Sequence, residues 1–477
     1  MKETKTRRSY TTPYELDGRV PLGQAIPLGL QHVLAMFVGN LSPLLVLMGI
    51  CGITAQEGLA ALRVSLLQNA MLVAGLVTLL QLYPIGPVGA RLPIVMGTSS
   101  GFLGVHKSVA VGLMGGIAAG TVTSDVSAGI YAYGAIMGAS LLGGIFETGI
   151  GFLIKPLRKF FPPVVTGTVV LAIGLNLIPV GISAFGGGSG APDNGSLWNL
   201  LLGAVTLTAI LVFKHAFKGF PSMAAILLGI LTGYVVSFVM GLCLSPTLED
   251  GTLAGFAIDW PQMVEAPWFA MPELLPVRMQ FDRRAIIPML FMFIVTAVET
   301  VGDTAGVAQG GLGREATDRE MSGAVICDGI GSALASLFGV LPNTSFGQNV
   351  GLVGMTKVVN RFTIAMGAAF LVLAGLVPKI ATVISIMPQP VLGGAAVVMF
   401  ASIVVSGINL LTSQPLKGRS ATIVAVAMGL GYGFGSIPAV QAFLPEGLRL
   451  ILGGSGVIPA ALLAILLNIV LPKDKES

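Results

Sequence analysis

Long apolar stretches recur along the whole chain, and they limit its fold more than any other feature. A transmembrane helix needs about 20 consecutive apolar residues. Segments of roughly that length lie at about 26–50, 65–85, 131–154, 163–185, 196–213, 222–245, 285–308, 320–340, 361–386, 390–412, 420–436 and 450–472. Only 10% of the 477 residues are charged, against about 25% in soluble domains. In water such a chain would expose large apolar patches, which excludes an ordinary soluble enzyme, a disordered protein and a nucleic-acid-binding protein.

Two further segments are too polar and too rich in Gly, Ser and Pro to be plain lipid-facing helices. One covers 91–101 and continues into an apolar run near 108–120, and the other covers 341–349 and continues to Val359. Irregular backbone is tolerated inside a membrane only where it lines a cavity or is buried in protein. Counting both segments as crossings gives about fourteen spans, of which the third and the tenth are broken helices.

The distribution of basic residues predicts that both termini are cytoplasmic. The polar, basic segment 1–25 has no short apolar region followed by a cleavage site, so it is interpreted as a tail and not as a signal peptide. With fourteen spans, most of the 26 Lys and Arg residues fall in the tails and in the even-numbered loops, as the positive-inside rule requires. We therefore expect a multi-pass protein of the cell membrane.

Several segments resemble one another about seven spans apart. The sequence 163–167 opens one span and the similar sequence 390–394 opens another, while the broken segment that reaches Gly104 has its counterpart in the one that reaches Gly354. An odd number of spans per repeat places the two copies in opposite membrane orientations. This is the inverted-repeat pattern of secondary transporters, in which paired broken segments mark the substrate site. The predicted fold is an all-α polytopic membrane protein made of two inverted seven-span repeats.

Four acidic residues lie inside apolar spans, where a charge is costly: Glu147, Glu299, Asp303 and Asp328. Glu299 and Asp303 are four residues apart and therefore share one helical face. Two neighbouring acids in a low dielectric cannot both ionise cheaply, so we expect at least one of them to hold a proton that it can exchange. Glu147 lies toward the end of its span, and we expect it to be solvated at the membrane interface.

The stretch after Leu341 carries groups that suit a flat, polar ligand. Gln348 offers a carbonyl acceptor and an NH₂ donor side by side, as the edge of a heterocycle does. Phe346 can stack on a flat ring, and a nearby carboxylate such as Glu299 can accept hydrogen bonds from ring N–H groups. His32 is interpreted as the only histidine inside a span.

Other chemistries lack their residues in this sequence. The three cysteines are scattered, no HExxH or His/Cys cluster is present, and no Walker motif occurs. We expect no metal, no cofactor and no enzymatic activity.

At this point the chain resembles a known family. The pattern Gln348-Asn349-x-Gly351-x4-Thr356-Lys357 is similar to the signature of the nucleobase–ascorbate transporters, also called the xanthine/uracil permease family. His32 matches the histidine of that family's first span, the segment 299–303 its acidic motif in the eighth span, and Asp328 its aspartate in the ninth span. The resemblance covers about residues 20–472.

The resemblance implies a core and a gate that move against each other in an elevator mechanism, commonly in a homodimer. The expected parts are an N-terminal tail (1–25), core spans 1–4 (26–154), gate spans 5–7 (155–245), an extracytoplasmic loop (246–283), core spans 8–11 (284–386), gate spans 12–14 (387–472) and a C-terminal tail (473–477).

The resemblance also implies roles for individual residues. Glu299 and Gln348 would bind the base, and backbone groups near Ser100 and Gly347 would supply further hydrogen bonds. Asn349 and Asp328 would support the site. Asp303 and His32 would tune affinity and proton coupling.

The expected function is proton-coupled import of an oxopurine. Asp303 stands where the xanthine and urate members carry an aspartate and uracil members often carry a histidine. Ser100 stands where many members have Phe, so a stacking platform is absent there, and Phe346 or Phe102 would have to compensate. Uracil uptake stays open as the alternative in the same family. An anion transporter or channel of similar architecture would need cations in the pocket, and a membrane enzyme would need a catalytic constellation.

Overall fold

The computed structural model describes residues 10–53, 58–157, 160, 162–188, 191–248, 252–441, 443–445, 448–449, 452 and 456–472. Residues 1–9 of the predicted N-terminal tail, all of the C-terminal tail and part of 450–455 in the last predicted span lie outside the described residues. The described chain is predominantly helical.

The helices of the first half follow the predicted apolar stretches closely. They are α1 (Leu22–Ile50), α2 (Ala60–Leu82), α3 (Leu103–Ala118), α4 (Ala128–Phe152), α5 (Pro163–Phe185), α6 (Leu197–Ala216) and α7 (Ala225–Cys243). The side chains of Ser127 and Ser196 cap the first turns of α4 and α6. Proline in its first turn starts α5, where no hydrogen-bond donor is needed.

The helices of the second half repeat this order. They are α8 (Arg283–Leu312), α9 (Asp318–Leu337), α10 (Gly347–Thr356), α11 (Arg361–Ala374), α12 (Pro378–Ser385), α13 (Gln389–Thr412), α14 (Gly418–Val426) and α15 (Val457–Val470). A π-helical turn (Ala427–Tyr432) continues α14. Short helices cover Ile154–Leu157, Phe220–Met223, Trp260–Glu265, Gly433–Ser436 and Pro438–Gln441. Like α5, α13 has proline in its first turn.

Eight of the described helices are long and apolar enough to cross a membrane. The number becomes nine if α11 and α12, which bend by 84° at a short break, form one span. The prediction of a polytopic helical membrane protein is confirmed at this level.

Two short strands replace helix at the two segments that the sequence marks as broken. They are β1 (Met96–Thr98), before α3, and β2 (Asn343–Ser345), before α10. They pair antiparallel, with Gly97 opposite Thr344. The prediction of an all-α protein is therefore wrong at this point. Where helix is interrupted inside the protein, backbone groups still need partners, and each strand supplies them to the other.

Equivalent hydroxyl groups hold the first residue of each strand. Thr78 on α2 accepts the Met96 N–H at 2.9 Å and donates to the Met96 carbonyl at 3.3 Å. Ser332 on α9 accepts the Asn343 N–H at 3.0 Å and donates to the Asn343 carbonyl at 3.1 Å. The same contact therefore occurs once in each half of the chain.

The helix packing also repeats between the two halves of the chain. Helix α1 packs against α11, and its counterpart α8 packs against α4, the counterpart of α11. In the same way, α2 packs against α11, and its counterpart α9 packs against α4. The helices that come after the two strands show the same relation, since α1 contacts α10 and α8 contacts α3. Helices α5 and α13 pack along one another. This pattern is what two similar halves related by a two-fold axis would produce.

The N-terminal segment before α1 fastens the loop that follows α10. The Pro13 carbonyl accepts the N–H groups of Val359 and Asn360 at 3.0 and 3.1 Å. Asp17 pairs with Arg91 and Arg361. Burial alone would raise the pKa of Asp17, but the hydrogen bonds and charges of Arg361 and Arg91 hold it below its ordinary value.

The paired strands β1 and β2, with the residues packed around them, are called the strand crossing below. It is closely packed around Gly97, and a larger residue there should destabilise the protein. A Cβ built on Gly97 would lie 2.6 Å from Met36 Cε, 2.7 Å from Phe346 Cε2 and 2.8 Å from Asn40 Oδ1. We expect Gly97→Val to reduce the free energy of unfolding by about 1–3 kcal/mol, as overpacking does, and to lower the melting temperature of the purified protein.

Gly112→Val is the matched control, because a Cβ on Gly112 of α3 meets nothing within 4 Å. Equal melting temperatures for the two variants would contradict the tight crossing.

Candidate functional site

One face of α8 brings two of the predicted acids to the strand crossing. Glu299 and Asp303 lie on successive turns of this helix. Glu299 Oε2 is buried and has no hydrogen-bond partner within the described part of the chain. It faces the turn before α3, since a Cβ built on Gly101 would lie 3.5 Å from it. The same position is 3.6 Å from Ile173 Cδ1 of α5, so Glu299 lies where α8, α3 and α5 meet.

Asp303 and Asp328 are joined through two hydroxyl groups. Ser345 Oγ at the end of β2 donates to Asp303 Oδ2 at 2.8 Å. Thr300 Oγ1, on the turn between Glu299 and Asp303, donates to Asp328 Oδ2 of α9 and lies 3.4 Å from Ser345 Oγ. Asp328 Oδ1 is buried without a partner in the described chain. The structure therefore connects acids from α8 and α9 through β2.

The start of α10 lies beside these acids. A Cβ built on Gly347, the first residue of α10, would be 3.5 Å from Asp303 Oδ1. Gln348 is partly exposed, and the described structure gives its side-chain amide no hydrogen bond. Both halves of this amide are thus free to bind a ligand.

Ser100 lies at the corresponding place before α3. It is partly exposed, and its carbonyl accepts the Leu103 N–H at 3.0 Å. Helices α3 and α10 begin just beyond two antiparallel strands, so their N-terminal ends approach the crossing from opposite directions. Helix N-termini carry partial positive charge and unpaired N–H groups.

Phe346 turns toward α1. Its side chain is 6% exposed and belongs to an apolar cluster with Val33, Met36 and Val95. A Cβ on Gly39 would lie 2.8 Å from its ring, so this glycine makes room for the phenyl group. The ring is wedged among protein atoms, which leaves little of it for stacking on a ligand.

His32 and Asn349 contact each other on the same side. Asn349 Nδ2 donates to the His32 carbonyl at 2.9 Å and lies 3.4 Å from His32 Nδ1. Both residues are buried. In the described structure, His32 is therefore linked to the acids only indirectly. It contacts Asn349, which lies on α10 next to Gln348.

Glu147 is not exposed to solvent, contrary to the prediction that it is solvated at the membrane interface. It is 0% exposed, and its Oε1 accepts a hydrogen bond from Thr296 Oγ1 on α8 at 3.1 Å. The interface prediction is wrong because α4 packs tightly against α8 and α9 through glycines: a Cβ on Gly143 would meet the Phe293 ring, and one on Gly144 would meet the backbone of α9.

His32 is not the only histidine within a span. His106 lies on α3, is 0% exposed and stacks on Phe102 at a centroid distance of 5.6 Å. Both of its ring nitrogens are buried without a hydrogen-bond partner in the described chain. The sequence interpretation started this apolar run after residue 107 and so excluded His106, whereas the helix starts at Leu103.

Several polar residues at the site were not predicted. Thr300 and Ser345 link the acids, and Asn40 Oδ1 accepts the Thr98 N–H of β1 at 2.7 Å. A signal existed for Thr300, which lies on the acidic face of α8, and for Asn40, an amide within an apolar span. Among the described residues no group of three or more His, Cys, Asp or Glu is arranged to hold a metal ion.

An apolar cavity of 280 Å³ lies apart from the acids, among α1, α7, α12 and the start of α13. Its lining includes Leu41, Ile230, Tyr234 and Ile384. None of the predicted polar site residues lines it.

The chain is similar to known permeases over nearly its whole length. The model of the family Xan_ur_permease, described as a permease family, matches residues 23–440. A putative purine permease of Clostridium perfringens is 35% identical over 464 residues, covering 97% of this chain and 94% of that protein. The xanthine permease XanP of Escherichia coli is 31% identical (97% and 95% covered), and the uric acid permease PucK of Bacillus subtilis is 34% identical (93% and 95% covered).

Solved structures of similar fold include two distant transporters. The transmembrane domain of the cyanobacterial bicarbonate transporter BicA has a TM-score of 0.51 at 16% identity, covering 94% of this chain and 98% of that one. SLC26A9 has a TM-score of 0.59 at 12% identity, covering 94% and 66%. At such identities the likeness concerns the fold alone.

Proposed function

The chain belongs to the Xan_ur_permease family, and we propose that it is a proton-coupled symporter that imports a purine nucleobase, xanthine or urate. As a member of this family it is a transporter and not an enzyme. The similar proteins named as a xanthine permease and a uric acid permease support an oxopurine as the substrate.

The observation that carries the proposal is the pair of unpaired polar groups at the strand crossing. Glu299 Oε2 is buried without a partner in the described chain, and the Gln348 amide makes no hydrogen bond there. Buried polar atoms that lack protein partners need a ligand or water. A carboxylate can accept ring N–H groups, and an amide can both donate to and accept from the opposite edge. In this proposal Ser100 and Gly347 add backbone contacts, and Phe346 borders the site toward α1.

Proton coupling is supported by the linked acids. Ser345 donates to Asp303 and Thr300 donates to Asp328, and the two hydroxyl oxygens lie 3.4 Å apart. A proton on either acid would let that acid donate to its hydroxyl, whose own hydrogen could then join the two hydroxyls. When two acids lie close together away from water, a negative charge on one raises the proton affinity of the other. If protonation of this group strengthens substrate binding, substrate binding must strengthen protonation equally. Asn349 and His32 would hold α10 in place for this exchange.

The proposed architecture has fourteen spans in two inverted repeats. The antiparallel strands, the equivalent contacts of Thr78 and Ser332 and the exchanged helix packing support it. Residues 26–154 and 284–386 would form the core, and residues 155–245 and 387–472 the gate, with 246–283 as an extracytoplasmic loop. The core would carry substrate past the gate in an elevator movement. Homodimer assembly, location in the cell membrane and cytoplasmic termini complete the proposal.

Anion transport is the alternative that the fold favours, because one structure of similar fold is a bicarbonate transporter. The side chains gathered at the crossing are acids, amides and hydroxyls, and no Lys or Arg is among those that line it in the described structure. An anion there would have only the partial positive charges of the α3 and α10 N-termini to balance its repulsion by the neighbouring acids. Uracil remains the alternative substrate within the family.

The test is uptake of radiolabelled xanthine by proteoliposomes with an acidic outside pH. We expect uptake to exceed the substrate equilibrium level and to collapse when a protonophore removes the gradient. Unlabelled urate should compete more strongly than unlabelled uracil. Stronger competition by uracil would favour the pyrimidine alternative, and large chloride or bicarbonate currents without xanthine uptake would refute the proposal.

A further inference from the structure

The buried acid on α4 has no role in the proposed substrate site. Glu147 Oε1 accepts from Thr296 Oγ1 at 3.1 Å, and Oε2 is buried without a partner in the described structure. The described contacts give Glu147 this one hydrogen bond and no ion pair. An ionised carboxyl in such surroundings is strongly disfavoured unless it shares a proton with its neighbours.

Thr296 can hydrogen-bond to Glu147 in either protonation state. Its hydroxyl also lies 3.2 Å from the Phe293 carbonyl and 3.3 Å from the Met292 carbonyl. A hydroxyl has one hydrogen to donate and two lone pairs to accept with. When Glu147 is ionised, Thr296 donates to the carboxylate. When Glu147 is protonated, the acid donates to Thr296, whose own hydrogen turns to a carbonyl of α8.

Glu147 lies close to the acids of the crossing. Thr296 is one turn before Glu299 and Thr300 on α8, and Thr300 donates to Asp328. Helices α4 and α9 are in close contact beside Glu147, since a Cβ built on Gly329, the residue after Asp328, would lie 2.4 Å from the backbone N of Thr148, the residue after Glu147. Asp303 further along α8, His106 on α3 and Cys327 beside Asp328 on α9 are further titratable groups on the helices packed against α4. Asp328, His106 and Cys327 are buried, and Glu299 and Asp303 are half-buried.

We propose that Glu147 is a second proton-binding residue, coupled to Glu299 and Asp328, and that the cotransported proton is shared between it and the acids of the crossing. The proposal rests on the proposed proton symport. Only O–H bonds form and break as the proton moves from one carboxyl group to another. Ionisation of one acid favours a proton on the next because their negative charges repel each other.

The test compares wild-type protein with Glu147→Gln in two assays. The glutamine keeps an acceptor for Thr296 but cannot bind the proton. In proteoliposomes, gradient-driven xanthine accumulation should fall at least tenfold, whereas xanthine exchange without a pH gradient should fall much less. In infrared titration of the purified protein without substrate, the variant should lose carboxylic-acid C=O absorption and shift the titration of the remaining acids.

Two further variants keep the test decisive. Glu273→Gln, at an exposed loop acid that Ser65 contacts, should behave as wild type. Thr296→Val, which keeps the carboxyl but removes its hydrogen bond, should retain the absorption and move its pH midpoint. Wild-type accumulation and an unchanged infrared titration in Glu147→Gln would overturn the proposal. If wild-type protein takes up no purine, the proposed function fails, while the infrared titration still decides whether Glu147 titrates with its neighbours.

Discussion

Replacing Glu299 by glutamine should abolish proton-driven uptake while leaving the folded protein in the membrane. The change removes an ionisable oxygen that is buried beside the start of α3 and unpaired within the described chain. Losing a charged hydrogen bond to a ligand costs about 1.5–3 kcal/mol, and the amide also removes the proton exchange on which accumulation depends. We expect at least a 100-fold loss of uptake in proteoliposomes.

Although Glu299→Gln should lose uptake, it should not destabilise the folded protein. Because Glu299 Oε2 makes no hydrogen bond to the described protein, its replacement removes no native contact. Residues that are unpaired for function often cost stability, so the melting temperature of Glu299→Gln should equal or exceed that of wild type. The matched control is Glu273→Gln, at an exposed acid in the loop before α8. Normal uptake by Glu299→Gln would remove this residue from the mechanism.

The helical framework could be predicted because each span carries its own signal. Apolar length alone located most of the long helices; α5, for example, starts at Pro163 as predicted. It did not show that the predicted span 361–386 is two helices, α11 and α12, bent by 84°. The paired acids of α8 were likewise visible from their spacing and from the cost of a charge in lipid.

The strand crossing could not be predicted in the same way. A strand of three residues such as Met96–Thr98 shows no periodicity, and its partner lies more than 200 residues away in the chain. What the sequence did show was the consequence, namely two segments too polar and too rich in Gly and Pro for helix.

The burial of individual side chains could not be predicted where it depends on neighbouring helices. Glu147 is near the end of α4, yet glycines on that helix let α8 and α9 cover it. Phe346 stands beside the signature Gln348, yet Gly39 and Gly97 open a space toward α1 that its ring fills. Neither outcome follows from the position of a residue in its own span, because both depend on small residues elsewhere in the chain.

Converting Gln348 to glutamate should weaken purine binding without affecting the fold. The side chain is partly exposed and makes no hydrogen bond in the described structure, so its replacement costs no native contact. The new carboxylate cannot donate to a ring acceptor, and it adds negative charge next to Gly347, which itself lies against Asp303. An unpaired acceptor on the ligand costs about 1–3 kcal/mol, which corresponds to an increase in Kd of roughly 5- to 150-fold.

Calorimetric titration of the purified protein with xanthine, urate and uracil would measure this change. Gln309→Glu is the matched control, because it makes the same substitution at an exposed position of α8 and should leave Kd unchanged. The weakening of binding should be largest for bases that present a hydrogen-bond acceptor to the amide. Such a base loses the N–H donor of Gln348, and its acceptor atom is repelled by the new carboxylate. The same affinities and the same order of preference in Gln348→Glu and wild type would mean that the base is held elsewhere. The proposed substrate site between α8 and α10 would then be wrong, even if Glu299 proved essential for uptake.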